Sequence, residues 1–320
     1  MSAPNILDAA IAAKGDLSTT YLEGGDAGRG LLPPSAAREF IAATALQSDF
    51  ITDMNLQVML NPEHYLDIAG FSGRVSYKDV PGVATTEAQR SALTISREPL
   101  KAVWFRAASF LNYHVENENI QRMGLGAFVQ ADLARQVALD QDESMIIGDT
   151  DSADDGVDAF DGIIKQALAY TIDSSASPAD VSDDVFYSLF QGMPKRGKRD
   201  KANMVYACSV NVESAYAKWL RANTNIATGS FYEGQDPGNR IKFDGIQVKP
   251  YNMWPDDTIM LVNKRNVCPG IFIKIFLEQF HDPDAGVDKY IMRYASDIAF
   301  AEPELVIAWT GLNLGVAASL

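Results

Sequence analysis

Residues 119–147 read NIQRMGLGAFVQADLARQVALDQDESMII. Ile120, Met123, Ala127, Phe128, Ala131, Ala134, Val137, Ala138 and Met145 recur at the spacing of one helix face, with Asp132, Asp140 and Asp142 off it. A helix of this length runs about 40 Å. Gly124 and Gly126 weaken its first turns, so its start can fall later than residue 119. The stripe is narrow and built of small residues, and the surface that covers it comes from the far end of the chain.

After this helix, 149–162 is an acidic, Gly-containing loop, and a mixed region then runs to about residue 265. Its first helix is capped at Ser182 and puts Phe186, Leu189, Phe190 and Met193 on one face. The strand Met204–Cys208 follows, then a helix from Ser209 that buries Val212, Tyr216, Trp219 and Leu220. Strands near 245–248 and 258–262 complete the region. The last segment is strand-rich (270–279, 287–294, 296–301 and 304–310), with acidic, Pro and Gly residues between strands. A terminal sheet packed on a helix formed roughly 150 residues earlier is an α+β arrangement with an inserted α/β domain.

Before the helix, residues 1–33 are small, polar and Gly-rich and read as an extended arm. A short helix starts at Ser35, carries Phe40, Ile41, Thr44 and Ala45, and fades near Ser48. Residues 68–98 read as a two-stranded ribbon. Phe71, Gly73, Val75 and Tyr77 alternate with Ser72, Arg74, Ser76 and Lys78, Pro81-Gly82 marks the connecting loop, and 92–96 returns with Leu93 and Ile95. A lone ribbon is marginal in water and needs a partner surface, which is a first sign of assembly.

The chain has 320 residues, 47% of them hydrophobic, and 27 Lys plus Arg against 42 Asp plus Glu, a formal −15. It is thus long enough for a large core, and its sign is opposite to that of a protein that grips DNA phosphates. Residues 117–161 hold 2 basic and 11 acidic side chains, a net −9, so most of the excess lies on the long helix and the loop after it. Cys208 and Cys268 form no CxxC pair and read as reduced thiols. The N-terminus lacks the regions of a signal peptide, and no apolar run approaches 18 residues, so no membrane partner is expected.

Catalytic and ligand motifs fail on inspection. The stretch from Gly192 to Arg199 nearly fits the phosphate loop GxxxxGK[ST], but Arg199 replaces the hydroxyl, and a helix precedes where a strand is needed. Lys195, Arg196, Lys198, Arg199 and Lys201 form either a solvated basic loop or a contact with a neighbour's acidic surface. Asp149, Asp151, Asp154, Asp155 and Asp158 lack the calcium-loop spacing, since Ala153 takes a ligand position and Asp154 the glycine position. His64, His114 and His281 are scattered, and residues 70–74 fall one residue short of GxSxG. Gly124-Leu-Gly126 lacks its third glycine, and Glu302 and Glu304 fit a turn around Pro303. No catalytic, cofactor-binding or metal residue is assigned, and the chain does not read as an enzyme.

The order of these elements resembles the major capsid proteins of tailed bacteriophages with the Hong Kong 97-like fold. The segment from Leu31-Leu-Pro-Pro to Phe40-Ile41 resembles that family's arm-to-helix entry, and 68–98 is placed like its extended E-loop. The segment from Phe110 to Asn117 leads into 119–147, which is similar to the spine helix. Gly148-Asp149 and Phe160-Asp161-Gly162-Ile163 are similar to the "Gly-Asp … Gly-Ile" passage after it. Residues 202–209 and the phrase 243–250 resemble a strand-helix and a "Gly-x-x-Val" strand of the axial (A) domain. The resemblance covers most of 31–312 and rests on order and spacing.

The resemblance implies an arm and short helix at 1–50, a peripheral (P) domain from 51–67 and 99–160 with the spine, and the E-loop at 68–98. The A domain would follow at 161–265, with P-domain return strands at 266–320. It implies a coat subunit that joins copies of itself as hexamers and pentamers around double-stranded DNA in a virion assembled in the host cytoplasm. A separate scaffolding protein and a portal would be partners, with decoration proteins left open. Phe71, Val75, Tyr77, Lys78, Leu93 and Ile95 on the ribbon, together with the basic loop, are the expected contacts between copies. Lys78 invites comparison with the lysine that some members of the fold cross-link, but no motif supplies its Asn and Glu partners. The acidic spine would face the interior and repel packaged DNA. Two alternatives stand beside this reading: an encapsulin compartment, against which the extended Gly-rich arm speaks, and an acidic cytosolic enzyme with a nucleotide at 194–201.

Overall fold

The computed structural model describes residues 48–71, 76–78, 86–87, 93–112, 125–154, 156–223, 241–282 and 284–314. The arm, the helix expected from Ser35, Val75, Pro81-Gly82 and the helix start at 119–124 lie outside the described residues. In chain order the helices are α1 Asp49–Asp53, α2 Leu125–Ile147, α3 Ile163–Gln166, α4 Asp183–Gly192 and α5 Val210–Asn223. The strands are β1 Gln57–Met59, β2 Glu63–Phe71, β3 Leu93–Lys101, β4 Val103–Asn112, β5 Thr171–Asp173, β6 Ala179–Asp180, β7 Met204–Cys208, β8 Lys242–Phe243, β9 Ile246–Pro250 and β10 Thr258–Asn263. The chain closes with β11 Val267–Phe272, β12 Phe276–Asp282, β13 Val287–Phe300, β14 Val306–Thr310 and β15 Leu312–Asn313.

The first sheet is built around β13. One edge of β13 pairs antiparallel with β4 along its length, and the other pairs with β12 and then β11, beyond which β1 runs parallel to β11. Helix α2 covers one face of this sheet. Leu133 and Val137 of α2 meet Phe105 and Ala107 of β4 and Met292 and Tyr294 of β13, and Phe105 stacks on Tyr294 with ring centroids 5.3 Å apart. Val137 and Met292 are fully buried there, and full burial of such a side chain contributes about 1.5–3 kcal/mol, which is how a thin stripe holds a long helix.

The second sheet has the order β5-β14-β10-β7-β9-β8. All five residues of β7 are buried because both faces of the sheet are covered. Val205 and Ala207 face a core shared with α1, the end of α2 and β13. Tyr206 and Cys208 face α4 and α5 through Phe186, Leu189, Val212 and Tyr216. The expected helix after Ser182, the strand at β7 and the helix after Ser209 are all present, although the Ser182 side chain makes no capping hydrogen bond.

Several expectations change. Ser48 begins a helix: its Oγ accepts the Ile51 N–H at 2.8 Å and caps α1, while the helix expected to fade near it lies outside the described residues. The ribbon strands are β2 and β3, paired from Glu63↔Lys101 to Phe71↔Leu93, and residues 76–78 are not in a strand. The strand expected at 270–279 is two, β11 and β12, whereas 287–294 and 296–301 merge into the single β13. Strand β14, expected among the P-domain return strands, instead pairs with β10 and β5 in the insert's sheet. The physical cause is the turn at Pro303–Leu305. There the Asn266 side chain accepts the Glu302 N–H at 2.6 Å and donates to the carbonyls of Glu302 at 2.9 Å and Leu305 at 3.4 Å, so the chain is sent back over the second sheet.

Candidate assembly surfaces

The joint behind α2 is made by two glycines. The Gly162 N–H donates to the Gly148 carbonyl at 2.8 Å and the Gly148 N–H to the Ser144 carbonyl at 2.9 Å. A Cβ on Gly162 would stand 2.6 Å from the Gly148 nitrogen and 2.7 Å from the Ile146 oxygen. These are the glycines of the Gly-Asp and Gly-Ile phrases, and close backbone approach is what requires them. Lys165 clamps the acidic turn between them, reaching Asp149, Asp151 at 2.7 Å and Asp161 at 3.0 Å. The Lys165 hydrogen bond holds the Asp149 carboxyl below its usual range. For Asp161 burial pushes upward, but hydrogen bonds from Thr150 and Lys165 outweigh it. Asp154 and Asp158 are exposed. Among the described residues no three His, Cys, Asp or Glu side chains converge as metal ligands.

Asp142 does not lie off the packed face of α2 as its spacing suggested. It is only 6% exposed and accepts hydrogen bonds from the Ser48 hydroxyl and the backbone N–H groups of Phe50 and Ile51, so it caps α1. Burial pushes its pKa up to about 6. At the other end of α1, Asp53 receives Lys249, Tyr251 at 3.1 Å and Lys264 at 3.3 Å. Burial alone would raise Asp53, and the two lysines bring it below the usual carboxylate range. Helix α1 therefore bolts the spine to the second sheet.

The β2–β3 ribbon rises from the first sheet with its faces treated differently. Leu66 and Leu100 pack down on Met59, Phe272 and Ala295. Tyr65 and Ile95 point the other way and are 50% and 58% exposed. Tyr77 and Lys78 are exposed, and Phe71 pairs with Leu93 at the far end of the described ribbon. Val75 lies outside the described residues.

The face of the first sheet opposite α2 is the surface the sequence reading missed. Along β4, Trp104, Arg106, Ala108 and Phe110 are exposed while the residues between them are packed. Phe110 is 67% exposed, and Phe280 of β12, two strands away at the same register, is 60% exposed. Arg106 stands directly opposite Arg293, a like-charge pair across strands. Arg293 is paired with Glu278 at 3.2 Å, whereas Arg106 has no ion pair among the described residues. Trp104 sits between the rings of Phe272 and Phe276, 5.8 Å from each.

The basic loop is partly committed within the chain. Arg196 pairs with Glu302 at 2.7 Å and Lys201 with Asp244 at 2.6 Å. Lys198 donates to the Gln191 carbonyl at 3.2 Å and lies over the Phe190 ring. Lys195 and Arg199 are exposed and make no ion pair among the described residues. The loop follows α4 and precedes β7, the reverse of the order a phosphate loop needs.

Two packed sheets, a spine helix laid along one of them and a ribbon rooted on that same sheet define the architecture. The comparisons agree with this. A chain of the satellite phage P4 procapsid, a structure that includes the size determination (Sid) protein, matches with a TM-score of 0.67 at 10% identity, covering 88% of this chain and 92% of that one. The Microbacterium phage Oxtober96 structure matches with a TM-score of 0.56 at 13% identity over 82% of this chain and 90% of that one. The SrpI encapsulin of Synechococcus elongatus PCC 7942 matches at 0.54 and 6% identity over 83% and 88%. The chain therefore has the Hong Kong 97-like shell fold. By sequence it is 23% identical over 301 residues to YqbE of Bacillus subtilis (strain 168), whose name describes it as a prophage capsid protein; the match spans 92% of this chain and 95% of that one. No family model matches the chain.

Proposed function

We propose that this chain is the major capsid protein of a tailed phage or prophage, self-assembling into the icosahedral head shell around double-stranded DNA. The carrying observation is the shell fold joined to a prophage capsid relative matched nearly end to end. The ribbon adds a physical reason for assembly. Its outer face bears Tyr65 and Ile95 pointing away from its own sheet, while the sheet's open face bears Trp104, Phe110 and Phe280. Meeting between copies buries both, and repetition of such a contact closes a symmetric shell. Lys195 and Arg199 supply a second, charged contact. In this reading hexamers and pentamers form with a separate scaffolding protein and a portal in the host cytoplasm. The acidic α2 and 149–161 turn line the interior, and the role is structural, with no catalytic step.

The test is expression of the full chain, alone and together with a phage scaffolding protein, followed by sedimentation and electron microscopy. Uniform particles with the chain as their main component support the reading; soluble monomer under all conditions overturns it. The likeness to an encapsulin keeps a protein-filled compartment as the second reading. The head shell predicts particles that enclose DNA when portal and packaging proteins are supplied. Particles that exclude DNA and retain a cargo protein favour the compartment.

A further inference from the structure

Two carboxylates without a cation among the described residues are buried at the root of the ribbon and at the start of α1. Asp297 of β13, 9% exposed, accepts the Lys101 N–H at 2.5 Å and the Ile298 N–H at 2.8 Å. Lys101 is the last residue of β3, so this bond ties down the root of the ribbon. Asp142 of α2 accepts the Ser48 hydroxyl and the first backbone N–H groups of α1, tying down the point where the segment before residue 48 joins the fold. Beside Asp297 a cavity of about 420 Å³ is lined also by Glu98, Asp161 and Gln166, and its charged members are Glu98 from the ribbon and the Lys165-paired Asp161. Asp142 faces Asp49 of α1, a like charge, and its neighbour Gln141 is buried with its side-chain oxygen unbonded among the described residues.

We propose that Asp142 and Asp297 are proton-operated latches that set how readily these two roots detach from the body of the fold. This rests on the reading of the ribbon as the clasp between copies, and it adds acidity as a regulator of that clasp. A charged, buried carboxylate gains hydration when its root lifts, and the cavity beside Asp297 gives water a route to it. A protonated one has little hydration to gain, so the root stays down. Burial pushes both groups up to about 6, against an ordinary value of 3.8. The closed roots are therefore most favoured in acid and lose that advantage as pH rises through about 6. Moving from about pH 7.5 to about pH 5 lowers opening roughly tenfold at each root.

Hydrogen exchange of the purified full chain, followed by mass spectrometry and corrected for intrinsic rates, tests this. Peptides spanning 97–102 and 48–54 are compared with β7 as an internal reference. The expected result is roughly tenfold more protection at about pH 5 than at about pH 7.5 in both root peptides, beyond any change in β7. Asp297→Asn should flatten the profile only at 97–102, and Asp142→Asn only at 48–54. Root peptides that track β7 at every pH, or Asn variants that keep the slope, overturn the proposal. If a variant does not fold, the unmodified chain's roots against β7 still decide it. Particle formation is read separately by microscopy, so shells with flat root profiles would refute the latches and leave the shell reading standing.

Discussion

Replacing Gly162 by alanine tests the joint on which the spine's placement depends. The added Cβ would lie 2.6 Å from the Gly148 nitrogen, 2.7 Å from the Ile146 oxygen and 2.9 Å from the Ile146 carbonyl carbon. All three are backbone atoms, about 0.5–0.8 Å inside ordinary contact, and no side-chain rotation relieves them. The turn at 149–161 must then move off α2 and stretch the Gly162–Gly148 hydrogen bond of 2.8 Å. Overpacking costs about 1–3 kcal/mol and a lost buried hydrogen bond a similar amount, giving about 2–6 kcal/mol together. For a chain of this size that lowers the melting temperature on the order of 10 °C. Gly156→Ala is the control: its Cβ would meet only the Asp154 carboxylate, at 3.4 Å, in the same turn. Calorimetry or thermal denaturation followed by circular dichroism reads both. If Gly162→Ala melts within about 2 °C of Gly156→Ala, the steric reasoning is wrong.

Three further perturbations follow from the same geometry. Asp53→Ala leaves Lys249, whose side chain is 11% exposed, without its anion and should cost about 3–5 kcal/mol in urea denaturation, whereas Asp53→Leu with Lys249→Met should cost less than that single change. Because the Asp53 pKa lies below its ordinary value, its contribution is present at neutral pH and is lost as pH falls through that depressed value. An Asp53→Ala deficit that grows in acid would contradict this. Phe110→Asp and Ile95→Asp should leave stability within about 0.5 kcal/mol yet sharply reduce particle yield, and full yield from both would remove the ribbon and the open sheet face as contacts. Lys165→Met should free the 149–161 turn to faster limited proteolysis, and unchanged cutting would mean that the clamp is not what holds it.

Much of the fold could be read locally. Helices α4 and α5 carry clean apolar faces, β7 is a short apolar run, and the order of elements around the spine fits one fold. The unread parts are those where tertiary contact overrides the local pattern. Strand β4 escaped because its solvent side carries Trp104 and Phe110, which erases the polar alternation that marks a half-buried strand. That same surplus of exposed aromatics is the signal that could have revealed the open sheet face. Asp142 looked exposed by helical spacing, and only the docking of α1 buries it. The ribbon's alternation at 71–78 was real in sequence, but the pairing is set from its root at Glu63↔Lys101, where Leu100 enters the core. Of the expected contact residues, Tyr77, Lys78, Ile95, Lys195 and Arg199 are exposed, while Arg196 and Lys201 are already held by Glu302 and Asp244.

The decisive measurement is a cryo-electron microscopy map of particles assembled from this chain. The account predicts a closed icosahedral shell with the outer face of each β2–β3 ribbon, at Tyr65 and Ile95, laid on the Trp104–Phe110 face of another copy. It also predicts that residues 132–158 line the interior. A shell in which that sheet face stays bare and residues 132–158 point outward would contradict it.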